Sequence, residues 1–440
     1  MPKVPGRQAP ASRRSPERPR EATTAPKNRR VKLEHSILVT ATLCLLSAGA
    51  VMVYSASSPD TLLPGQGSAT GYLIRFVGYG AVGLVLMRTT ARVGLDGVRR
   101  ATPGLLAVSF GLLVAVKIPG IGRSVNGARR WIGAGPVVFE PSELMKLSLV
   151  LYAAHILSSG RMTERRLRVM MKPLLLVGAC ACGLVALQPD LGTALVLAFT
   201  LTCVLVAAGL PTRTLGRLLI GGVLVVGLFA VLAPYRRARL TAFLDPWAHQ
   251  GTSGFQAVQG QIAIGSGGLF GAGPGQSVEK VFYLPEAHTD FILAVIGEEL
   301  GVLGICGLLF LYGLIAYAGL RVAKAAKGAY ASLLAVGVTG LVVGQASLNT
   351  FAVLGLAPLT GVPLPFVSYG STSLIVMLGA MGLLLNVAGG GAAHLRALGT
   401  RRREPGRSAD AQDDRDRSGR NRRTRRAGAG GGGRAARAGS

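Results

Sequence analysis

The sequence predicts an all-α polytopic membrane protein of about ten transmembrane helices, with a long extracytoplasmic loop between the seventh and the eighth. Three observations predict it. Half of the 440 residues are apolar and the mean hydropathy is +0.44, more than soluble domains carry. Apolar runs of bilayer length recur along the chain. Basic residues gather in every second connection between those runs.

The apolar runs fall at 36–56, 72–88, 102–118, 143–159, 173–188, 191–209, 216–234, 290–320, 330–353 and 371–390. Arg88, Arg92, Arg99 and Arg100 follow the second, and Arg161, Arg165, Arg166, Arg168 and Lys172 follow the fourth. Arg213 and Arg217 follow the sixth; Arg321, Lys324 and Lys327 follow the eighth. The positive-inside rule places these loops and both termini in the cytoplasm, which requires an even number of spans. The first run follows a long polar tail and lacks a small-residue cleavage site, so no cleavable signal peptide is expected.

Residues 1–35 and 391–440 read as disordered basic tails flanking one membrane domain, 36–390. Ten basic and three acidic side chains occupy 1–34, and fourteen and five occupy 391–440, more than half of the net charge of +28. Segments this polar cannot bury enough surface to offset the entropy of ordering. The Arg420 to Arg426 run resembles a nucleic-acid patch, but beside a membrane span it reads better as a sensor of anionic lipid, and no nucleic acid is expected. The five cysteines lie in apolar runs without metal-ligand spacing and act as small hydrophobes.

Two outer loops break the charge rule. Lys117, Arg123, Arg129 and Arg130 follow the third run; Arg236, Arg237, Arg239 and Lys280 lie in the long loop 235–289. Cations there oppose the topology, so an anionic group such as a phosphate is their natural partner. A loop of that length is usually functional. Its glycine run from Gly265 to Gly275 has no Gly-Lys-Ser/Thr and no preceding strand, which excludes a nucleotide loop; close approach to a bulky ligand or a re-entrant turn is expected instead.

Asp290 stands where this polar loop meets the eighth run, beside Glu286 and His288. Thr289 or Asp290 would suit a helix cap. A carboxylate at the membrane boundary is also well placed to take a proton from a hydroxyl on a lipid-anchored carrier. Further charges lie in or beside spans. Glu143 and Lys146, three apart, suit an inward ion pair. Arg129 and Arg130 precede Trp131. Asp190 lies at a helix junction, and Glu298 sits about two turns into the eighth run. Such groups mark function or bundle-holding pairs. The proline-rich segment from Pro358 to Ser371, which includes Ser368, cannot be helical throughout and reads as an irregular re-entrant loop lining a cavity.

Six co-linear stretches resemble the SEDS family (shape, elongation, division and sporulation proteins). They are Gly127-Ala-Arg-Arg-Trp-Ile132, Pro141-Ser-Glu-Leu-Met-Lys146, Gln188-Pro-Asp-Leu-Gly-Thr193, Phe243-Leu-Asp-Pro-Trp247, Tyr283-Leu-Pro-Glu-Ala-His-Thr-Asp-Phe-Ile292 with Ile296-Gly-Glu-Glu-Leu-Gly301, and Pro363-Leu-Pro-Phe-Val-Ser-Tyr-Gly370. The wording resembles FtsW, the division branch, more than RodA. Glu140, Ser371 and Gln276 stand where the family usually has Gln, Gly and Asn.

The resemblance implies a peptidoglycan glycosyltransferase that polymerises lipid II at the outer membrane face. The donor would be a glycan on undecaprenyl diphosphate, the partners a class B penicillin-binding protein and other division proteins. Asp290 matches the family's essential acid. Arg129, Arg130, Arg239 and Lys280 would receive the leaving diphosphate, and Trp131 and Trp247 would act as sugar or lipid platforms. Mg²⁺ or Mn²⁺ would suit the chemistry, but no multi-carboxylate cage is visible, so no protein ligand is assigned to a metal. A lipid II flippase and a non-catalytic division scaffold are the competing readings.

Overall fold

The computed structural model describes residues 25–390 apart from 60–67, 126–127, 135–136, 160–163, 233, 282–283 and 285–286. The expected tails before residue 25 and after residue 390 lie outside the described residues, as does Glu286, but the last stretch of the N-terminal tail, from Ala25, is helical rather than disordered and begins the first helix.

Ten helices stand where the apolar runs predicted them: α1 (Ala25–Ala56), α2 (Ala69–Thr90), α3 (Leu95–Ala115), α4 (Pro141–Leu157), α5 (Glu164–Ala186), α6 (Leu191–Ala207), α7 (Thr212–Leu232), α10 (Ile292–Ala325), α11 (Ala329–Val353) and α12 (Ser371–Ala388). Seven of the described helices are long and apolar enough to cross a membrane by length and composition alone. α4 and α6 have 17 residues each. α4 also carries Glu143 and Lys146, so it is legible only as a helix buried among others. α11 and α12 form the interior: 72% and 89% of their apolar stretches are buried in the protein, against 17% for α2. α11 packs on α4, α6 and α10, and α12 packs on α2.

The structure departs from an all-helical chain between α3 and α4. There β1 (Gly122–Val125), β2 (Ala128–Ala134) and β3 (Val137–Phe139) form an antiparallel sheet in the order β1-β2-β3. By sequence the segment reads only as a basic loop. Its strands are three to seven residues long, too short for a two-residue period to stand out among the flanking glycines.

The long loop is also more ordered than its composition suggests. It holds α8 (Pro234–Leu244), a 3₁₀ turn at Trp247–His249 and α9 (Phe255–Gly267). The glycine run after α9 packs against α10. α10 breaks at Gly301 (φ 68°, ψ −166°), a backbone only glycine adopts cheaply. The break frees two carbonyls and two N–H groups inside a membrane helix, where each must find a partner. Residues 268–273 supply them: Ala272 N–H donates to Glu298 O (2.9 Å) and Gly273 N–H to Glu299 O (3.0 Å). In return Val302 N–H donates to Gly268 O (3.0 Å) and Leu303 N–H to Leu269 O (3.3 Å).

Candidate active site

The site is organised by the proline-rich segment 357–370. Pro358, Pro363 and Pro365 deny it a helical ladder, so its carbonyls need side-chain donors. Arg239 Nη1 donates to Leu359 O (3.1 Å), Asn349 Nδ2 to Val362 O (2.8 Å), Gln345 Nε2 to Pro363 O (2.9 Å) and Tyr312 Oη to Pro365 O. Ser368 is buried, and its Oγ accepts the Leu364 N–H (2.8 Å) and closes the turn from within. The irregular path expected here is observed, and it places Phe366 at φ 66°, a strained conformation for a side chain that bulky.

Asp290 meets this segment from the end of the long loop. It is half-buried. Its backbone carbonyl accepts from Asn349 Nδ2 (2.7 Å) and its Oδ1 accepts from Thr289 Oγ1 (3.1 Å). Its other oxygen, Oδ2, faces Gly361, where a methyl group would lie 3.9 Å away. Phe291, not Thr289 or Asp290, is the N-cap of α10, with no side-chain cap hydrogen bond. The capping role allowed by the sequence is therefore not the one the fold uses. His288 sits in a cluster of aromatic rings. Its carbonyl accepts the Tyr369 N–H (2.9 Å), and its ring lies 4.7 Å from that of Tyr72 and 5.7 Å from that of Tyr369.

The expected cations separate. Arg239 is half-buried and lines a shallow cleft with Phe243, Pro246, Gln261, Gly355 and Leu359. Arg129 is exposed on β2 and half-buried Trp131 lies two residues on, across a β-bulge that sets Arg129 opposite Ser124 and Trp131 opposite Arg123. Arg130 holds the turn into α6. Its Nε donates to Gln188 O (2.9 Å), its Nη2 to Pro189 O, and its Nη1 lies 3.8 Å from Asp190 Oδ2. Asp190 caps α6 by accepting the Thr193 N–H (3.0 Å). That helix start abuts the proline-rich segment: a methyl group on Gly192 would fall 2.7 Å from Thr360 O.

Lys280 does not join them. It is 7% exposed, and its Nζ is bonded to Glu299 Oε1 (2.7 Å), Ser55 Oγ (3.0 Å) and Gly275 O (2.8 Å). A buried ammonium spends its three N–H groups on whatever acceptors surround it, and here these tie the long loop to α1 and α10. Glu298 does similar work without an ion pair, its carboxylate accepting from Ser277 Oγ, Val278 N–H (2.7 Å) and Glu279 N–H (3.3 Å).

The Glu143–Lys146 pair forms as the spacing predicted, with Nζ 2.8 Å from Oε2 and both residues 1% exposed. Lys146 Nζ also donates to Gln345 Oε1 (2.6 Å). Glu140, just ahead of α4, has its carboxyl pushed up to about 7 by burial first, then by the Glu143 and Asp190 carboxylates.

Sequence reasoning missed Asn349 and Gln345. The signal was there: two amides four apart in an otherwise apolar span mark one polar face. Among the described residues no three His, Cys, Asp or Glu side chains come together as a metal site. The donor set does not fit a metal held by protein ligands alone, and no step below is routed through one.

The chain is similar to known proteins over most of its length. The family model FTSW_RODA_SPOVE, described as "Cell cycle protein", matches residues 35–390. Stage V sporulation protein E of Bacillus subtilis (strain 168) is 40% identical over 353 residues, covering 80% of this chain and 96% of that protein. The "Probable peptidoglycan glycosyltransferase FtsW" of Coxiella burnetii is 42% identical over 360 residues, 80% of this chain and 95% of its own. Among solved structures, a chain described under "Structural coordination of polymerization and crosslinking by a peptidoglycan synthase complex" superposes with a TM-score of 0.67 at 33% identity, over 80% of this chain and 96% of that one. Thermus thermophilus rod shape determining protein RodA gives 0.59 at 30% identity, over 80% and 95%.

Proposed function

This chain belongs to the FtsW/RodA/SpoVE family of cell cycle proteins, and from that membership we propose that it polymerises lipid II into glycan strands during cell division. It is a multi-pass membrane protein and a peptidoglycan glycosyltransferase. The observation that carries the site assignment is the half-buried Asp290, whose Oδ2 lies against the proline-rich segment at Gly361.

In the proposed reaction Asp290 takes the proton from the 4-hydroxyl of the acceptor GlcNAc in lipid II. The freed oxygen attacks the anomeric carbon of the donor MurNAc, the terminal sugar of a glycan on undecaprenyl diphosphate. The bond to the diphosphate breaks with inversion, because among the described residues no second carboxylate is seen placed as a nucleophile, an inference by analogy with glycosidases. The diphosphate leaves as an anion and needs cations along its path. Arg239, bonded to the segment that Asp290 faces, and exposed Arg129 fill that role; Arg130 supports it by fixing the turn at 188–190. A divalent cation brought in with the diphosphate is compatible with this scheme.

We assign the outer membrane face to Asp290 and the cytoplasm to both termini, on the charge of the connecting loops. A class B penicillin-binding protein is the proposed partner, consistent with the likeness to a chain described under a peptidoglycan synthase complex. The deciding assay gives purified protein, with that partner, labelled lipid II in detergent, where flipping has no meaning. Glycan ladders from wild type that vanish in Asp290→Ala support the enzyme. Ladders that persist in Asp290→Ala refute the role of the acid, and no ladders from folded wild type would favour a flippase or scaffold. A fluorescent fusion at the septum, rather than along the side wall, tests the division role.

A further inference from the structure

We propose that Asn349 is the positioning residue for Asp290: a single buried amide on α11 clamps the acid-bearing loop to the proline-rich segment and so sets the carboxylate opposite Gly361. The inference rests on the assignment of Asp290 as the general base.

Asn349 is 2% exposed and lies near the end of α11. Its side-chain nitrogen has two N–H groups, and both are spent on main-chain carbonyls from distant parts of the chain. One goes to Asp290 O at 2.7 Å, the other to Val362 O at 2.8 Å. Two carbonyl oxygens drawn to one nitrogen would repel each other without donors between them, so the amide fixes the spacing of the two loops. Val362 is the residue after Gly361, which faces Asp290 Oδ2. The clamp thus acts on the acid's own backbone and one residue away from the surface opposite it.

One turn earlier on the same helix face, Gln345 repeats the device. Its Nε2 donates to Pro363 O (2.9 Å) while its Oε1 accepts from Lys146. Consecutive carbonyls of the proline-rich segment are therefore gripped by amides at i and i+4 of α11. Only Asn349 also reaches the loop of Asp290.

Among the described residues no donor reaches the buried Asn349 Oδ1 or the Thr360 Oγ1 beside Gly361.

The test uses the full chain with its penicillin-binding partner in detergent. Turnover and the lipid II concentration dependence are measured separately for wild type, Asn349→Ala, Asn349→Asp and Asp290→Ala. Asn349→Asp keeps the shape of the side chain and removes both donors. A misplacement of about 1 Å at a reacting group costs on the order of 10²-fold. The expected result is therefore a kcat lower by about 10²-fold in both Asn349 variants, with KM within about 3-fold of wild type and a monodisperse, folded protein. Wild-type kcat per folded molecule in either variant overturns the proposal. So does failure of both to fold, because Asn349 would then belong to the scaffold. Activity in Asp290→Ala would instead remove the general base on which the inference rests; an inactive Asp290→Ala beside a fully active Asn349→Ala would sink this inference alone.

Discussion

Replacing Lys146 by Met keeps most of the side chain's volume and deletes its charge, leaving the Glu143 carboxylate at 1% exposure with no counter-ion. Breaking a buried pair by removing one partner costs about 3–5 kcal/mol, because an uncompensated charge stays in low dielectric. Gln345 Oε1 loses its 2.6 Å donor in the same step, a cost of about 1–3 kcal/mol that overlaps the first and does not simply add. We expect Lys146→Met to lower stability by at least about 3 kcal/mol. At roughly 2 °C per kcal/mol, the low end for large domains, its melting temperature falls by about 6–10 °C. Thermal unfolding of purified protein in detergent measures this. The decisive companion is Glu143→Gln with Lys146→Met, which removes both charges together. Exchange of a whole buried pair for neutral groups is often close to neutral, so the double variant should regain most of the loss. If it melts as low as the single variant, or if the single variant melts like wild type, the pair is not coupled and the reasoning fails.

Two further predictions concern the ends of the same core. Gly301→Ala would force a side chain onto φ 68° and bring its methyl to 2.5 Å from Gly271 N and Leu269 O, which are backbone and cannot swing aside. It should leave little folded protein on size-exclusion chromatography, whereas Gly307→Ala, with open space around it, should behave like wild type. For Glu140 the folded carboxyl titrates near 7 against an ordinary 4.5. The native state therefore holds the proton more tightly, and this contribution to stability is complete below about 4.5 and is lost as pH rises through about 7. Glu140→Gln should flatten the fall in melting temperature between those values and raise it at pH 8; parallel curves for the two proteins would refute the shift.

Seven of the ten helices were legible because each carries its own evidence: a bilayer-length apolar run needs no knowledge of its neighbours. Glu143 and Lys146 were legible for a related reason, since a three-residue spacing on a helix fixes which side chains meet. Lys280 was misread because its partners, Ser55 and Glu299, are remote in sequence, and a lysine in a polar loop gives no sign that it will be buried. The sheet at 122–139 was lost among short strands and glycines.

The glycine run and Gly301 show the same limit from the other side. Each was visible as glycine, but the reason for either exists only once the two are apposed, when the broken α10 ladder finds its four partners in residues 268–273. That apposition bears on the site. The loop running from α9 to Asp290 is fixed at the α10 break, and again where Lys280 bonds Glu299 and Ser55. Its last residues are held by Asn349 and by the Tyr369 N–H bonded to His288 O. Among the described residues, Lys280, Glu298 and Glu299 secure the loop's route, and Asp290 at its end meets the proline-rich segment.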